Sequence, residues 1–161
     1  MEIIVIGTEP PCIRCHTTFK RAKEMAEQFP QKIEVKKVAI HSAEAQQYGK
    51  VEAGHGIKVA DNMKPDLEKM KKLMRELEEL KADEEKNERL IDARLKDLEK
   101  LLAPVKEKAR EMGFLMTPVL VVNGQVKSMD YVPSKEEIKA WIEIESKEPE
   151  GQSSTGFPVG E

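Results

Sequence analysis

Two cysteines three positions apart, Cys12 and Cys15, are the residues of this sequence with the clearest chemical use. They follow an apolar run at residues 3–6 and precede a segment with helical periodicity. A thiol at the first turn of a helix meets unpaired N–H groups and the helix dipole, and both favour its thiolate. The second thiol, one turn further on, can close a disulfide with the first. The spacing therefore predicts a reversible dithiol, with Arg14 adding positive charge near the Cys12 thiolate.

The same residues allow other chemistry. Cys-Ile-Arg-Cys-His, which ends at His16, also matches the attachment pattern of c-type haem, but that chemistry requires export and no export signal is visible. The thiols could instead join His16, His41 or His55 in a metal site, although two thiols and scattered histidines suit such a site poorly. We therefore predict no cofactor and no metal. Two free cysteines without a shared function are the simplest alternative.

Length and composition limit the class of protein. The chain has 161 residues, 39% of them apolar, and a net charge of −3, which suits one domain with a core and gives no reason to expect nucleic acid or a membrane as partner. No apolar run approaches the roughly 20 residues that span a bilayer. The N-terminus lacks the basic lead and cleavage site of a signal peptide, so we expect a cytoplasmic location. A lone cysteine pair there is more often redox-active or metal-binding than structural.

The first 40 residues predict a strand, a helix and a second strand. Residues 2–6 are apolar, as in a buried strand. Apolar residues recur at helical spacing over 12–29, until Pro30. Residues 33–40 again favour a strand. The expected product is a β-α-β unit with parallel strands.

The C-terminal part predicts a helix, a strand, a tight turn, a return strand and a last helix, at residues 104–112, 115–122, 123–124, 125–129 and from 134 onward. Pro104 has the position favoured at a helix start. Asn123-Gly124 is the strongest short signal for a hairpin turn. Ser134 and Glu137 have the spacing of a capping box, which opens a helix.

The middle of the chain differs in composition from both flanks. Of the 40 residues from 64 to 103, 23 are charged, 11 basic and 12 acidic. Leucine and methionine recur there with spacings of three and four, except between Asp83 and Glu88. This gap predicts an antiparallel hairpin rather than one long helix. We call residues 43–103 the helical arm. Residues 146–161 are nearly free of apolar side chains and predict a disordered tail.

The element order, with Cys-x-x-Cys after the first strand and Thr-Pro before the third, resembles the thioredoxin superfamily. It is most similar to the small thioredoxin-like (redoxin) proteins of archaea and anaerobic bacteria, whose motifs match TPVLVVNG at 117–124 and VPSKEE at 132–137. The resemblance implies an α/β, thioredoxin-like fold (β-α-β, helical insertion, α-β-β-α) with a central mixed four-stranded sheet. The domain would consist of residues 1–42 and 104–145, with the helical arm inserted between them.

The resemblance also implies roles for particular residues. Cys12 would be the attacking thiol and Cys15 the resolving one. The bond before Pro118 would be cis, and the exposed backbone of Thr117, with Met116 next to it, would pair with an extended substrate segment. These three residues are the predicted substrate-binding residues.

Some positions depart from the common pattern of that superfamily. Pro10-Pro11 precedes the dithiol, and Ile13-Arg14 lies between the cysteines. The first two strands offer no obvious buried carboxylate to accept the Cys15 proton, which leaves Glu9 or His16 as the candidates to substitute. Together with Arg14, these are the residues predicted to tune the thiol pKa values.

The predicted function is that of a cytoplasmic thiol–disulfide oxidoreductase. Its partners would be a protein carrying a disulfide, selected by the helical arm, and an electron donor of the thioredoxin-reductase type. The arm could also join two copies of the chain in a homodimer, or simply pack on its own domain. The alternative is a non-catalytic thiol module, either a metal carrier or a redox-responsive scaffold, that binds its partner through the arm. The sequence leaves open whether His41 or His55 approaches the dithiol.

Overall fold

A computed structural model describes residues 1–9, 12–52 and 67–147. Its strands are β1 (Glu2–Gly7), β2 (Glu34–Ala39), β3 (Lys50–Glu52), β4 (Phe114–Met116), β5 (Val119–Val122) and β6 (Gln125–Met129). Its helices are α1 (Ile13–Ala26), α2 (Ala43–Gln46), α3 (Leu67–Lys81), α4 (Glu88–Glu111) and α5 (Lys135–Lys147). Pro10-Pro11, His55 and most of the predicted tail lie outside the described residues. Among the described helices, none is both long and apolar enough to cross a membrane.

The main sheet has four strands in the order β2-β1-β5-β6. The pair β1/β2 is parallel, and the pairs β1/β5 and β5/β6 are antiparallel. The central mixed four-stranded sheet of a thioredoxin-like fold is therefore confirmed. Because β1 is an inner strand, its C-terminal end lies in the middle of one sheet edge, and α1 starts from that edge.

Both faces of the main sheet are covered, because alternate residues of β1 point to opposite sides. On one side α1 and α5 pack over a buried cluster of Ile3, Val5, Ala22, Met25, Leu120, Val122, Ile138 and Ile142. On the other side α2 and β3 pack over Ile4, Ile6, Val38, Ile40, Ala45, Val51, Val119 and Val121. Each such aliphatic side chain contributes about 1.5–3 kcal/mol when fully buried. The sheet edge that holds the dithiol is thus fixed from two sides.

The predicted turn and capping box are both confirmed. Asn123 and Gly124 have φ values of 50° and 81°, as a tight two-residue hairpin turn requires. The Glu137 N–H donates to Ser134 Oγ at 3.1 Å, and the Ser134 N–H donates to Glu137 Oε1 at 2.9 Å. These bonds satisfy backbone N–H groups at the start of α5 that would otherwise have no hydrogen-bond partner within the helix.

Helices α3 and α4, here called the helix pair, are joined by a turn at residues 82–87, within the predicted break. Arg94 on α4 pairs with Glu76 on α3, and Asn87 donates to the Leu80 carbonyl across the turn at 3.0 Å. These contacts fit an antiparallel arrangement. The buried residues between the helices are Met70, Leu77, Ile91, Leu95, Leu98 and Leu102, joined by Ile13 of α1.

The predicted helix start at Pro104 is wrong. The structure places Pro104 inside α4, which runs without interruption from Glu88 to Glu111. Proline removes one backbone hydrogen bond and is therefore disfavoured in the interior of a helix. Its neighbours Leu102 and Val105 are each only 1% exposed, so their packing stabilises the helix through the proline. The division into a domain of 1–42 and 104–145 with an inserted 43–103 stays a prediction.

The predicted strand 115–122 is in fact two strands. Pro118 separates β4 from β5, and β4 pairs in parallel with β3 in a second, two-stranded sheet. The sequence did not predict β3, which belongs to the segment assigned to the helical arm. A three-residue strand has too few positions for an alternating pattern, and its partner lies far along the chain.

Candidate dithiol site

Cys12 is the N-cap residue of α1, five positions after the last residue of β1, Gly7. Its N–H donates to Thr8 Oγ1 at 3.1 Å, and its carbonyl accepts the first helical hydrogen bond, from the His16 N–H at 2.9 Å. Cys12 is half-buried, whereas Cys15 is only 3% exposed. Their Sγ atoms lie 3.5 Å apart, beyond the about 2.05 Å of a disulfide but within hydrogen-bond distance. The two thiols are therefore free, and one is more accessible than the other.

The two thiols differ in acidity. The hydrogen bond from the Cys15 thiol lowers the pKa of Cys12 to about 5; burial opposes this, whereas nearby backbone N–H groups and the charge of Arg14 add to it. The pKa of Cys15 is raised, because the hydrogen bond with Cys12 and burial both favour its protonated form. At neutral pH the pair thus holds one thiolate, at Cys12, and one buried thiol, at Cys15.

We expect alkylation of the reduced protein by iodoacetamide to report this difference. Because the folded pKa of Cys12 is lowered to about 5, its reactivity should rise through that pH, far below the about 8.5 of a free thiol. The unfolded chain binds more protons in this window, so the thiolate at Cys12 stabilises the reduced protein increasingly as pH rises. Mass spectrometry should locate the label on Cys12. A rate that rises only above pH 8, or a label on Cys15, would contradict the assignment.

Gly7 allows Cys15 to approach the end of β1. A Cβ atom at Gly7 would lie 2.9 Å from both Cβ and Sγ of Cys15, closer than real Cβ atoms are found. Any side chain there would therefore displace the buried thiol. The register Ile6↔Val119 places Pro118, the residue before β5, at the same sheet edge.

The bond before Pro118, for which the resemblance implied the cis form, is cis. Met116, Thr117 and Pro118 are all buried. The Thr117 backbone is not exposed as the resemblance implied, because its N–H donates to the Glu52 carbonyl of β3 at 3.0 Å. The substrate-binding role of these three residues stays a prediction.

Arg14 is buried, with 2% of its surface exposed. Its guanidinium binds two carboxylates that the sequence analysis did not identify. Nε lies 2.9 Å from Glu99 Oε1 of α4, and Nη2 lies 3.2 Å from Asp130 Oδ1. Lys106 pairs with the other oxygen of Glu99 at 2.9 Å. The positive charge predicted beside the dithiol is present, but it is largely neutralised by these two partners.

Asp130 holds the segment around the cis bond. Its N–H donates to the carbonyls of Met116 and Pro118, at 2.9 and 3.0 Å, while its carboxylate and its own carbonyl accept from Arg14. Asp130 has a φ of 65°, which aspartate tolerates better than most residues. Burial raises the pKa of Asp130 to about 6, and the charges of Arg14 and Lys106 act in the opposite direction.

Both residues between the cysteines, Ile13 and Arg14, are covered by the helix pair. Ile13 is 1% exposed and packs in the apolar cluster between α3 and α4. Further along α1, His16 Nε2 lies 3.1 Å from Glu84 Oε2, and Arg21 pairs with Asp92. The partner described for His16 is thus in the turn of the helix pair, and nothing in its contacts supports the predicted role toward Cys15.

Glu9 lies near the buried thiol. A cavity of about 60 Å³, enough for at least one water molecule, is lined by Cys15, Glu9 and Lys37, together with residues of β1 and β2. Glu9 itself is exposed. Of the three predicted tuning residues, Arg14 contributes to the pKa of both cysteines and Glu9 lines the cavity beside Cys15. His16 is next to Cys15 in the chain, but its imidazole is paired with Glu84. His41 is exposed.

A search of the described ranges finds no group of three or more His, Cys, Asp or Glu side chains able to hold a metal ion. The carboxylates of Glu99 and Asp130 are engaged by Arg14.

Comparison with known protein families gives a match. A family described as "Thioredoxin domain" matches residues 68–143, from α3 into α5. The matched range includes Thr117 and Pro118 but not the segment with Cys12 and Cys15. A search of curated proteins and a search of solved structures each gave no match.

Proposed function

Because this chain belongs to the thioredoxin superfamily, we propose that it is a thiol–disulfide oxidoreductase that uses Cys12 and Cys15. One observation carries the proposal: the sulfurs lie 3.5 Å apart, and the two thiols are unequal in exposure and acidity. A half-exposed thiolate can attack a disulfide of another protein. A buried, protonated thiol next to it does not compete for that disulfide and remains available for a second step.

The proposed cycle transfers two electrons. The Cys12 thiolate attacks one sulfur of the substrate disulfide, whose S–S bond breaks, and the leaving thiolate takes a proton. Cys15 then loses its proton and attacks Cys12 Sγ, which releases the second substrate sulfur as a thiolate. The products are a reduced substrate and a Cys12–Cys15 disulfide. An electron donor of the thioredoxin-reductase type would return the protein to its dithiol form.

Glu9 is the proposed acceptor of the Cys15 proton. The cavity that it lines with Cys15 can hold a water molecule through which the proton would pass. Lys37 also lines this cavity. We expect Glu9→Gln to slow the resolving step severalfold while the first attack by Cys12 keeps its rate, as measured by rapid mixing with a protein disulfide.

The proposed substrate is a protein rather than a small disulfide, and the helix pair is proposed to select it. This is supported by the burial of Ile13 and Arg14 beneath α3 and α4. The surface next to Cys12 is therefore built partly by the helix pair. A partner that approaches the Cys12 thiolate would also contact these helices.

The function is tested by reduction of insulin disulfides, with dithiothreitol as the electron source. We expect catalytic turnover by the parent protein and its loss in the Cys15→Ser variant under conditions where resolution limits the rate. The opposite outcome is no turnover by the parent together with tight, stoichiometric binding of a thiophilic metal ion. That outcome would favour the alternative, a non-catalytic thiol module that carries metal or responds to redox state.

A further inference from the structure

The guanidinium of Arg14 joins three parts of the fold. Arg14 itself belongs to the first turn of α1, between the two cysteines. Its Nε contacts Glu99 of the helix pair, and its Nη2 contacts Asp130 beyond β6. The surroundings are buried, so all three charged groups depend on one another for hydrogen bonds. A displacement of any one part would therefore shift the other two.

Asp130 extends this junction to the segment with the cis bond. Its N–H donates to the carbonyls on either side of Thr117, those of Met116 and Pro118. The same residue therefore contacts Arg14 through its side chain and the proline segment through its backbone. A chain of hydrogen bonds thus runs from the dithiol helix to the place where the resemblance puts the substrate.

We propose that Asp130 and Glu99 are positioning residues, which act on the dithiol through Arg14. Asp130 sets the position of the proline segment relative to Cys12, and Glu99 ties the helix pair to the same guanidinium. This inference deepens the proposed function, because the substrate that the helix pair selects would be presented to Cys12 through this junction.

Geometry and charge give this junction two separate effects. The planar fork of a guanidinium accepts only a narrow set of partner orientations, so loss of one carboxylate allows α1 and the proline segment to shift. The carboxylates of Glu99 and Asp130 also reduce the positive potential that Arg14 exerts on Cys12. Lys106, which pairs with Glu99, adds positive charge on the same side. Removal of a carboxylate charge should therefore favour the Cys12 thiolate.

Two sets of variants separate the effects. Asp130→Ala and Glu99→Ala remove the contact with Arg14, whereas Asp130→Asn and Glu99→Gln keep an acceptor oxygen and remove the charge. The matched control is Glu2→Ala, because Glu2 pairs with Lys36 at 3.4 Å at the start of β1, away from the dithiol, and has no described contact with α1 or the helix pair.

The first readout is a ratio of rates. We expect Asp130→Ala and Glu99→Ala to slow reduction of insulin about tenfold relative to reduction of dithiobis-nitrobenzoate, which is too small to use the proline segment or the helix pair. Asp130→Asn and Glu99→Gln should restore the parent ratio, and Glu2→Ala should keep it. If the alanine variants lose stability but keep this ratio, the residues are merely structural and the proposal fails.

The second readout does not require turnover. The pKa of Cys12, obtained from the ultraviolet absorbance of its thiolate, should fall by about half a unit in Glu99→Gln and stay unchanged in Glu2→Ala. It should change little in Asp130→Asn, because the pKa of Asp130 is raised to about 6 and its carboxyl is already mostly protonated at the pH where Cys12 titrates. A parent protein that reduces neither disulfide would refute the proposed function, yet this titration would still decide the inference. An unchanged Cys12 pKa in Glu99→Gln would overturn it.

Discussion

Replacing Cys12 with serine is expected to abolish disulfide exchange while the fold stays intact. The thiol of Cys12 has a pKa lowered to about 5, so it is almost fully ionised at neutral pH, whereas a serine hydroxyl is not ionised and is a poor nucleophile for sulfur. Turnover of insulin should fall on the order of a thousandfold or more. Serine is nearly isosteric with cysteine and Cys12 is half-buried, so circular dichroism and the unfolding midpoint should change little.

Replacing Cys15 instead should arrest the cycle after its first step. Cys12 can still attack, but no second thiol lies within 3.5 Å to release the substrate. A mixed disulfide between Cys12 and the substrate should accumulate in a one-to-one ratio. Non-reducing electrophoresis and mass spectrometry would detect it and identify the natural partner. Full turnover by Cys12→Ser, or by Cys15→Ser with no trapped intermediate, would contradict the proposed roles.

The second large effect concerns stability. Replacing Arg14 with methionine keeps a long, flexible side chain but leaves Glu99 and Asp130 without their shared cation at a buried site. Removal of one member of a buried ion pair costs about 3–5 kcal/mol. Lys106 still pairs with Glu99, so most of the loss should fall on Asp130. Urea unfolding of the reduced proteins would measure the difference.

The loss of stability in the Arg14→Met variant should also depend on pH. In the parent protein the pKa of Asp130 is already raised to about 6, above its ordinary value, because burial disfavours the carboxylate. Without Arg14 this pKa should rise further. When the pKa of a carboxyl group is higher in the folded than in the unfolded state, the protein loses stability as pH rises from the unfolded pKa toward the folded one. The destabilisation by Arg14→Met should therefore be larger at neutral pH than in mild acid.

The matched control for this experiment is Arg94→Met. Arg94 also has two carboxylate partners, Glu76 and Asp97, but about a third of its side chain is exposed, 33%. Partly exposed ion pairs contribute roughly 0–1 kcal/mol. Equal losses in Arg14→Met and Arg94→Met, or a loss at Arg14 that does not change with pH, would show that the buried carboxylates are not the cause.

Local patterns predicted those parts of the fold that depend on few neighbours. The turn at Asn123-Gly124 and the capping box at Ser134 and Glu137 are set by backbone conformation and by hydrogen bonds within a few residues. The break after Asp83 follows from the loss of an apolar stripe. The dithiol is of the same kind, because four consecutive positions bring both sulfurs to the first turn of one helix.

What the sequence did not predict depends on contacts between distant segments. The sequence predicts that Arg14 is a charge beside the thiolate, but its partners Glu99 and Asp130 lie more than eighty positions away. No spacing rule connects such residues. The preference of proline for the first turn of a helix predicts a helix start at Pro104. Burial of its neighbours Leu102 and Val105 instead keeps Pro104 inside α4. The sequence predicts that His16 tunes the pKa of a thiol, yet its partner Glu84 is again a distant residue.

The hydrogen bond between the Thr117 N–H and the Glu52 carbonyl has a consequence for how many different proteins could serve as substrates. A reductase with a free main-chain donor beside its nucleophile can accept any extended peptide, whatever its side chains. Here that donor is already occupied by a strand whose Val51 is anchored in the core. Under the proposed function, discrimination among substrates would then come from side chains and surface shape, as in an enzyme dedicated to one or a few partner proteins rather than a general reductant.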